Sequence, residues 1–224
     1  MSSLENGVET IRPKIANLSP LGLTSLALAM FILSIQNIGY VQISVFISGS
    51  TLIYSGISQS LASIWEYRTG NTFAATVFSS YGGFFFLSAF IESKSISFLA
   101  TGYDKDFDYG LGVYLAGWAL FSLILSLVTF RSNKSLFALF FFMWLTLMLF
   151  SISKFIPPHN IPGKDDLGIF FFPKKVNVNG ATTCGGIFGI ITALIAWYNA
   201  FTGLLNKESS HSSIHASDLG GKHK

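Results

Sequence analysis

Two long runs free of Asp, Glu, Lys and Arg, Val41–Trp65 and Phe73–Ile91, flank one short polar stretch, Glu66-Tyr67-Arg68-Thr69-Gly70-Asn71-Thr72. A bilayer-spanning helix needs about 20 mainly apolar residues and must satisfy its own backbone hydrogen bonds. A chain that gathers its charges at a tight turn between two such runs is expected to fold as a helical hairpin through a membrane. Composition agrees. Only 11% of the 224 residues are charged and 50% are hydrophobic, with 23 Phe, whereas soluble domains carry roughly 25% charged residues.

Six stretches are long and apolar enough to span: Pro20–Ile38, Val41–Trp65, Phe73–Ile91, Gly110–Phe130, Leu136–Ser153 and Cys184–Leu205. The predicted fold class is therefore an all-α membrane protein with six transmembrane helices. A polar tail occupies residues 1–19, the membrane domain 20–205, and a Ser-, His- and Gly-rich tail expected to be disordered 206–224. Links are short except Glu92–Tyr109, read as a polar loop, and Pro157–Thr183. The second contains Leu167-Gly168-Ile169-Phe170-Phe171-Phe172-Pro173, too short to span and read as interfacial or re-entrant. The first span is read as an uncleaved signal anchor, because it lacks a small-residue cleavage site.

Charge orients the bundle. With the N-terminus inside, the cytoplasmic segments collect Arg12, Lys14, Arg68, Arg131, Lys134, Lys207, Lys222 and Lys224. The outer ones collect Lys94, Lys105, Lys154, Lys164, Lys174 and Lys175. The short links with Arg68 and with Arg131 and Lys134 weigh most, so both termini are expected in the cytoplasm of a plasma-membrane protein.

Several function classes drop out. The net charge of +3 is scattered and implies no nucleic acid. One cysteine, Cys184, forms no internal disulfide. No zinc-protease, hydrolase-elbow or phosphate-loop motif is present, so no enzyme and no cofactor are expected. The tail residues His211, His215 and His223 fit no compact metal site. Helix-packing spacings of small residues recur at Gly185-x-x-x-Gly189, Ser58-x-x-x-Ala62 and Gly112-x-x-x-Ala116, consistent with a compact bundle or with subunit contacts.

Amides within apolar spans are more telling. Gln36, Asn37 and Gln59 each need a partner, since an unpaired buried amide costs about 1–3 kcal/mol. They are either interhelical glue or the polar lining of a permeation path. No cation lies within a span to hold an anion, so a small carboxylate would be met by amides, hydroxyls and helix N-termini. At the start of the first span, Asn17 or Ser19 can cap free backbone amides and Pro20 suits the first turn. Glu66 has two readings: a local pair with Arg68 that pins the hinge, or a proton-linked carboxylate.

The segment Asn17-Leu18-Ser19-Pro20-Leu21-Gly22-Leu23 resembles the Asn-Pro-Ala-Pro-Leu-Gly-Leu signature of the acetate uptake transporter family, which includes bacterial acetate–succinate/proton symporters and fungal acetate and ammonia transport proteins. The hinge Glu66-Tyr67-Arg68-Thr69-Gly70-Asn71-Thr72-Phe73, continued by Ser79-Ser80-Tyr81-Gly82, resembles that family's Glu-Tyr-(Lys/Arg)-x-Gly-Asn-Thr-Phe…(Thr/Ser)-Ser-Tyr-Gly pattern. Gly112-Val113-Tyr114-Leu115 and Trp118 resemble its fourth helix. The register holds from Asn17 to Trp118.

The resemblance implies a six-helix protomer in a homohexamer, each protomer with its own pore. It implies a constriction at Leu26, Tyr81 and Met143, with Leu26 standing where relatives carry Phe. An apolar pinch of that kind resists hydrated ions and admits weakly hydrated or protonated acids. The expected function is transport or channelling of acetate and similar short monocarboxylates, linked to protons. Asn17, Gln59, Asn71, Thr72 and Tyr81 are the expected substrate contacts, and Glu66 and Arg68 the hinge. Besides the substrate and protons, the expected partners are membrane lipid and further copies of the chain. Ammonium or ammonia export is the alternative, and a non-transporting membrane scaffold the second.

Overall fold

The computed structural model describes residues 16–39, 43–92, 105–156 and 179–205. Among them lie six helices and no strand: α1 Ser19–Ile38, α2 Val45–Thr69, α3 Thr72–Glu92, α4 Lys105–Thr129, α5 Lys134–Phe155 and α6 Gly180–Leu204. At 1.5 Å rise per residue they run about 30–38 Å, enough to cross a hydrocarbon core. The segment Leu167–Pro173, the tail residues 206–224 and the loop lysines Lys94, Lys164, Lys174 and Lys175 lie outside the described residues.

Five helices, α1, α3, α4, α5 and α6, are long and apolar enough to cross a membrane. The exception is α2, which buries a polar stripe along one side. Ser48, Leu52, Ser55, Gln59, Ala62 and Glu66 are all buried, while Ile53, Ile57, Leu61 and Ile64 are exposed. Spacings of three and four residues place the first set on one helical face. The helix thus turns its polar stripe inward and its apolar face outward, as a lipid-bathed helix beside a polar interior must.

Sequence expectation and structure differ at the helix ends. The hinge expected over Glu66–Thr72 contracts to Gly70 and Asn71, because α2 continues through Thr69. Gly70 takes the left-handed conformation at φ 81°, which suits glycine and closes the helix. The amide of Asn71 returns to the Glu66 carbonyl at 3.0 Å. The polar loop expected over Glu92–Tyr109 also shrinks, since Glu92 ends α3 and α4 begins at Lys105. Asn133 caps α5, its Oδ1 accepting from the amides of Ser135 and Leu136 at 2.9 and 3.0 Å. Asn179 caps α6 and also donates to the Ser153 carbonyl at 3.0 Å, tying α6 to the end of α5.

Helix α1 is central to the packing. It lies against α6 and α2 and touches α3, while α2 pairs with α3, α5 with α6, and α4 with α5. Hydroxyl-to-carbonyl bonds fasten these seams: Ser55 to Ser25 at 2.7 Å, Ser63 to Ala75 at 2.9 Å, and Ser151 to Gly112 at 2.7 Å. The seams at α6 depend on glycine. A Cβ on Gly186 would fall 2.8 Å from the Ser34 carbonyl oxygen and 2.7 Å from Ile38 Cγ1, and one on Gly185 2.7 Å from the Phe150 ring. Small residues at these positions let backbones approach where lipid supplies no hydrophobic drive. Gly186→Ala is expected to push α6 from α1 and cost about 1–3 kcal/mol, read as a lower unfolding midpoint in detergent, whereas Gly180→Ala, where a Cβ meets open space, is expected to leave the midpoint near that of the parent.

Candidate functional site

The chain of packed helices α3–α2–α1–α6–α5–α4 leaves one seam without backbone contact. No α-carbon of α3 comes within 8 Å of one on α4 or α5. Aromatic side chains bridge that gap. The Tyr81 ring lies parallel to Phe140 of α5 (6.5 Å between centroids, 6° between planes), stacks on Trp118 of α4 at 6.1 Å, and meets the Phe121 edge at 5.8 Å. One turn on, Phe84 packs on Trp118 at 5.1 Å and on Tyr114 at 6.2 Å. Large rings reach across a wide seam that branched aliphatic side chains could not span.

Tyr81 is fully buried, and its hydroxyl bonds Ser122 Oγ at 2.8 Å. Ser122 has one hydroxyl proton and gives it to the Trp118 carbonyl at 2.8 Å. Tyr81 is therefore the donor of the pair, and toward a solute its oxygen is an acceptor. Leu26 on α1 and Met143 on α5, the other two residues of the expected constriction, are each about as buried as Tyr81 and belong to the same core cluster.

The hinge residues have a different employment. Glu66 is buried at the end of α2; its Oε1 accepts from Ser19 Oγ at the start of α1, and its Oε2 accepts from Asn71 Nδ2 at 2.8 Å. Asn71 Oδ1 accepts from the Ala74 amide at 3.2 Å and so caps α3. One carboxylate thus joins the start of α1, the end of α2 and the start of α3. The local pair with Arg68 expected from sequence does not form: Arg68 sits two residues on, on the exposed side of the same helix, because residues i and i+2 do not face each other on a helix. Asn17 is exposed, and its Oδ1 accepts from the Ser19 amide at 3.0 Å. Thr72 is exposed at the first turn of α3.

Gln59 stands apart from the other expected substrate contacts. It is wholly buried in the inward stripe of α2, and neither its Nε2 nor its Oε1 has a protein partner. Ser34 Oγ, Gln36 Oε1, Trp65 Nε1 and Glu92 Oε2 are likewise buried without partners among the described residues. Each such group costs about 1–3 kcal/mol unless water or solute satisfies it. Gln36 and Asn37 are otherwise local, Gln36 donating to the Ile43 carbonyl at 3.3 Å and Asn37 to the Leu33 carbonyl at 2.7 Å.

Sequence reasoning missed Ser122, which shares its proton pattern with Tyr81, and Glu92, which was assigned to a polar loop. Neither has a local signal: Ser122 is one serine among many, and Glu92 adjoins polar residues that follow the span. Among the described residues no group of His, Cys, Asp or Glu is arranged to hold a metal.

The residues and the fold both have relatives. The description of the GPR1/FUN34/yaaH family matches residues 2–220. The chain is 36% identical over 206 residues to ammonia transport outward protein 2 of Saccharomyces cerevisiae, covering 90% of this chain and 66% of that protein. It is 34% identical over 205 residues to acetate permease A of Emericella nidulans, covering 88% of this chain and 64% of that protein. It therefore spans slightly less than two thirds of the length of these fungal proteins. The structure of the bacterial acetate channel SatP is similar at a TM-score of 0.70 and 28% identity, over 88% of this chain and 96% of that one.

Gln59→Leu removes both partnerless amide atoms at nearly constant volume. It is expected to raise the unfolding midpoint in detergent, by the equivalent of about 1–3 kcal/mol, while lowering solute flux in vesicles. A lowered midpoint with unchanged flux would make Gln59 structural.

Proposed function

The chain belongs to the GPR1/FUN34/yaaH family, and on that premise we propose that it conducts acetate and similar short monocarboxylates across the plasma membrane, with protons, through a path inside each protomer. The observation that carries the reading is the ring-closed seam around Tyr81 in a bundle lined with partnerless polar atoms. The likenesses to an acetate permease and to an acetate channel point to the solute.

The geometry suits the acid in its protonated form. The closure is aromatic and aliphatic, with Leu26, Tyr81 and Met143 as the constriction, and among the described residues no Lys or Arg is buried beside it. An anion would leave its hydration shell there without a counter-charge, at a cost of several kcal/mol or more. Undissociated acetic acid can donate its O–H to the Tyr81 oxygen and accept from the Gln59 amide. Asn17, Asn71 and Thr72 serve at the mouth, where Asn17 and Asn71 order the helix starts and the α1 and α3 N-termini offer their positive dipole ends. Glu66 holds the three helix ends of that mouth together, and Arg68 adds positive charge on the same side. The lysine and arginine bias of the short links supports cytoplasmic termini. Exposed apolar residues along α2 and α4, such as Ile57, Leu61, Leu120 and Leu127, face lipid or neighbouring copies in a homohexamer.

Ammonia is a second reading, favoured by the likeness to ammonia transport outward protein 2. Ammonia too can donate to the Tyr81 oxygen. Proteoliposomes separate the two: labelled acetate is expected to enter faster under an inward proton gradient, and excess methylammonium to leave that flux unchanged. Absence of acetate flux in active preparations would overturn the acetate reading. Tyr81→Phe keeps the stacking but removes the acceptor, and is expected to lower acetate flux about fivefold, the equivalent of one net hydrogen bond of about 1 kcal/mol.

A further inference from the structure

Glu92 is the last residue of α3 and is 1% exposed. Its Oε1 accepts from Ser48 Oγ in the first turn of α2, while its Oε2 is buried without a partner among the described residues. Ser48 and Glu66 are 18 residues apart on the inward stripe of α2, about 27 Å at the helical rise. That is close to the thickness of a hydrocarbon core. The stripe therefore carries a serine–carboxylate pair at each end, Ser48–Glu92 and Ser19–Glu66, with Gln59 between them.

The two carboxyls differ in what they can still do. Both Glu66 oxygens are engaged, by Ser19 and by Asn71, in a contact that joins three helix ends. Glu92 has one oxygen committed and one open, and can bind a proton there while keeping Ser48.

Among the described residues, no counter-charge stands beside it. From α2, packed along α3, come Ser48 and the exposed Tyr54, with no Asp, Glu, Lys or Arg before Glu66 at the far end. Helix α1, which also touches α3, carries no charged or titratable residue between Ser19 and Ile38. At the same end of the bundle Lys154 of α5 pairs with Asp108 of α4 at 3.5 Å, and no α-carbon of either helix lies within 8 Å of one on α3. Binding a proton relieves a buried carboxyl of the desolvation that a charge would suffer there.

We propose that Glu92 is a proton-binding residue of the transport path, stationed at the end opposite the Glu66 latch, where it loads and releases the proton that accompanies the acid. The proposal rests on the proton-linked transport reading above, and adds the group through which the acid gains or loses its proton at that end.

Two measurements on the full chain in proteoliposomes test it. Dicyclohexylcarbodiimide couples to protonated carboxyls in apolar surroundings, and peptide mass spectrometry locates the adduct. Labelling of Glu92 is expected at acid pH and is expected to fade as pH rises, with none in Glu92→Gln. No labelling at any pH would overturn proton binding, whatever the flux result. In the flux measurement, Glu92→Gln is expected to retain acetate exchange at equal pH and to lose accumulation driven by a proton gradient, while Glu92→Asp retains both. Accumulation by Glu92→Gln equal to that of the parent would leave Glu92 only as a tie between α2 and α3 and overturn the proposal. If the parent itself moves no acetate, the transport reading fails, and the labelling still decides whether Glu92 binds a proton.

Discussion

Every other seam in this bundle is closed by backbones that approach one another, and the seam between α3 and the α4–α5 pair is closed by rings. Tyr81 is the keystone of that closure because it is held from three sides, by Phe140, Trp118 and Phe121, and by one hydrogen bond to Ser122. Stacked rings with one polar handle make a barrier that is apolar over most of its surface and can still recognise a hydrogen-bonding solute. On the transport reading proposed above, this seam is where a path would run.

The rest of the molecule supports that seam by polar contacts placed where lipid cannot reach. Helix α2 turns serines, Gln59 and Glu66 inward and isoleucines outward, the reverse of a soluble amphipathic helix. Its inward groups fall into two kinds. Ser55 and Ser63 bond carbonyls of neighbouring helices and act as fasteners. Gln59 and the second oxygen of Glu92 have no protein partner among the described residues, and each such group costs about 1–3 kcal/mol unless water or a solute meets it. The closely packed glycines of α6 hold α1 and α5 in place on the other side, so the wide seam does not loosen the whole bundle.

The sequence was a good guide to what depends on composition along the chain and a poorer guide to what depends on facing. Charge-free runs gave the helices and their order. The hinge motif gave Tyr81 and Glu66 and, through resemblance, the family. The partner of Glu66 was misread because a neighbour in sequence is not a neighbour in space: Arg68 is on the opposite side of the turn, whereas Ser19 arrives from 47 residues away. Glu92 was assigned to a loop because the polar residues after it masked one more turn of helix. Asn71 and Asn17 carry helix-starting bonds in the structure, a use that a motif alone does not distinguish from substrate contact.

By itself, then, the sequence determined that this chain is a bundle of membrane helices with a tight Gly70–Asn71 turn, since apolar length and the left-handed preference of glycine are local properties. Only the tertiary structure decided which polar groups are latched and which are left open inside the bundle. Burial and partnership depend on how α1, α2 and α3 rotate against one another, and that rotation is set by packing across helices distant in sequence. Glu66 and Glu92 are the same residue type at the ends of neighbouring helices. One is held by two partners, since Asn71 folds back onto it, and the other keeps a buried oxygen without a partner among the described residues.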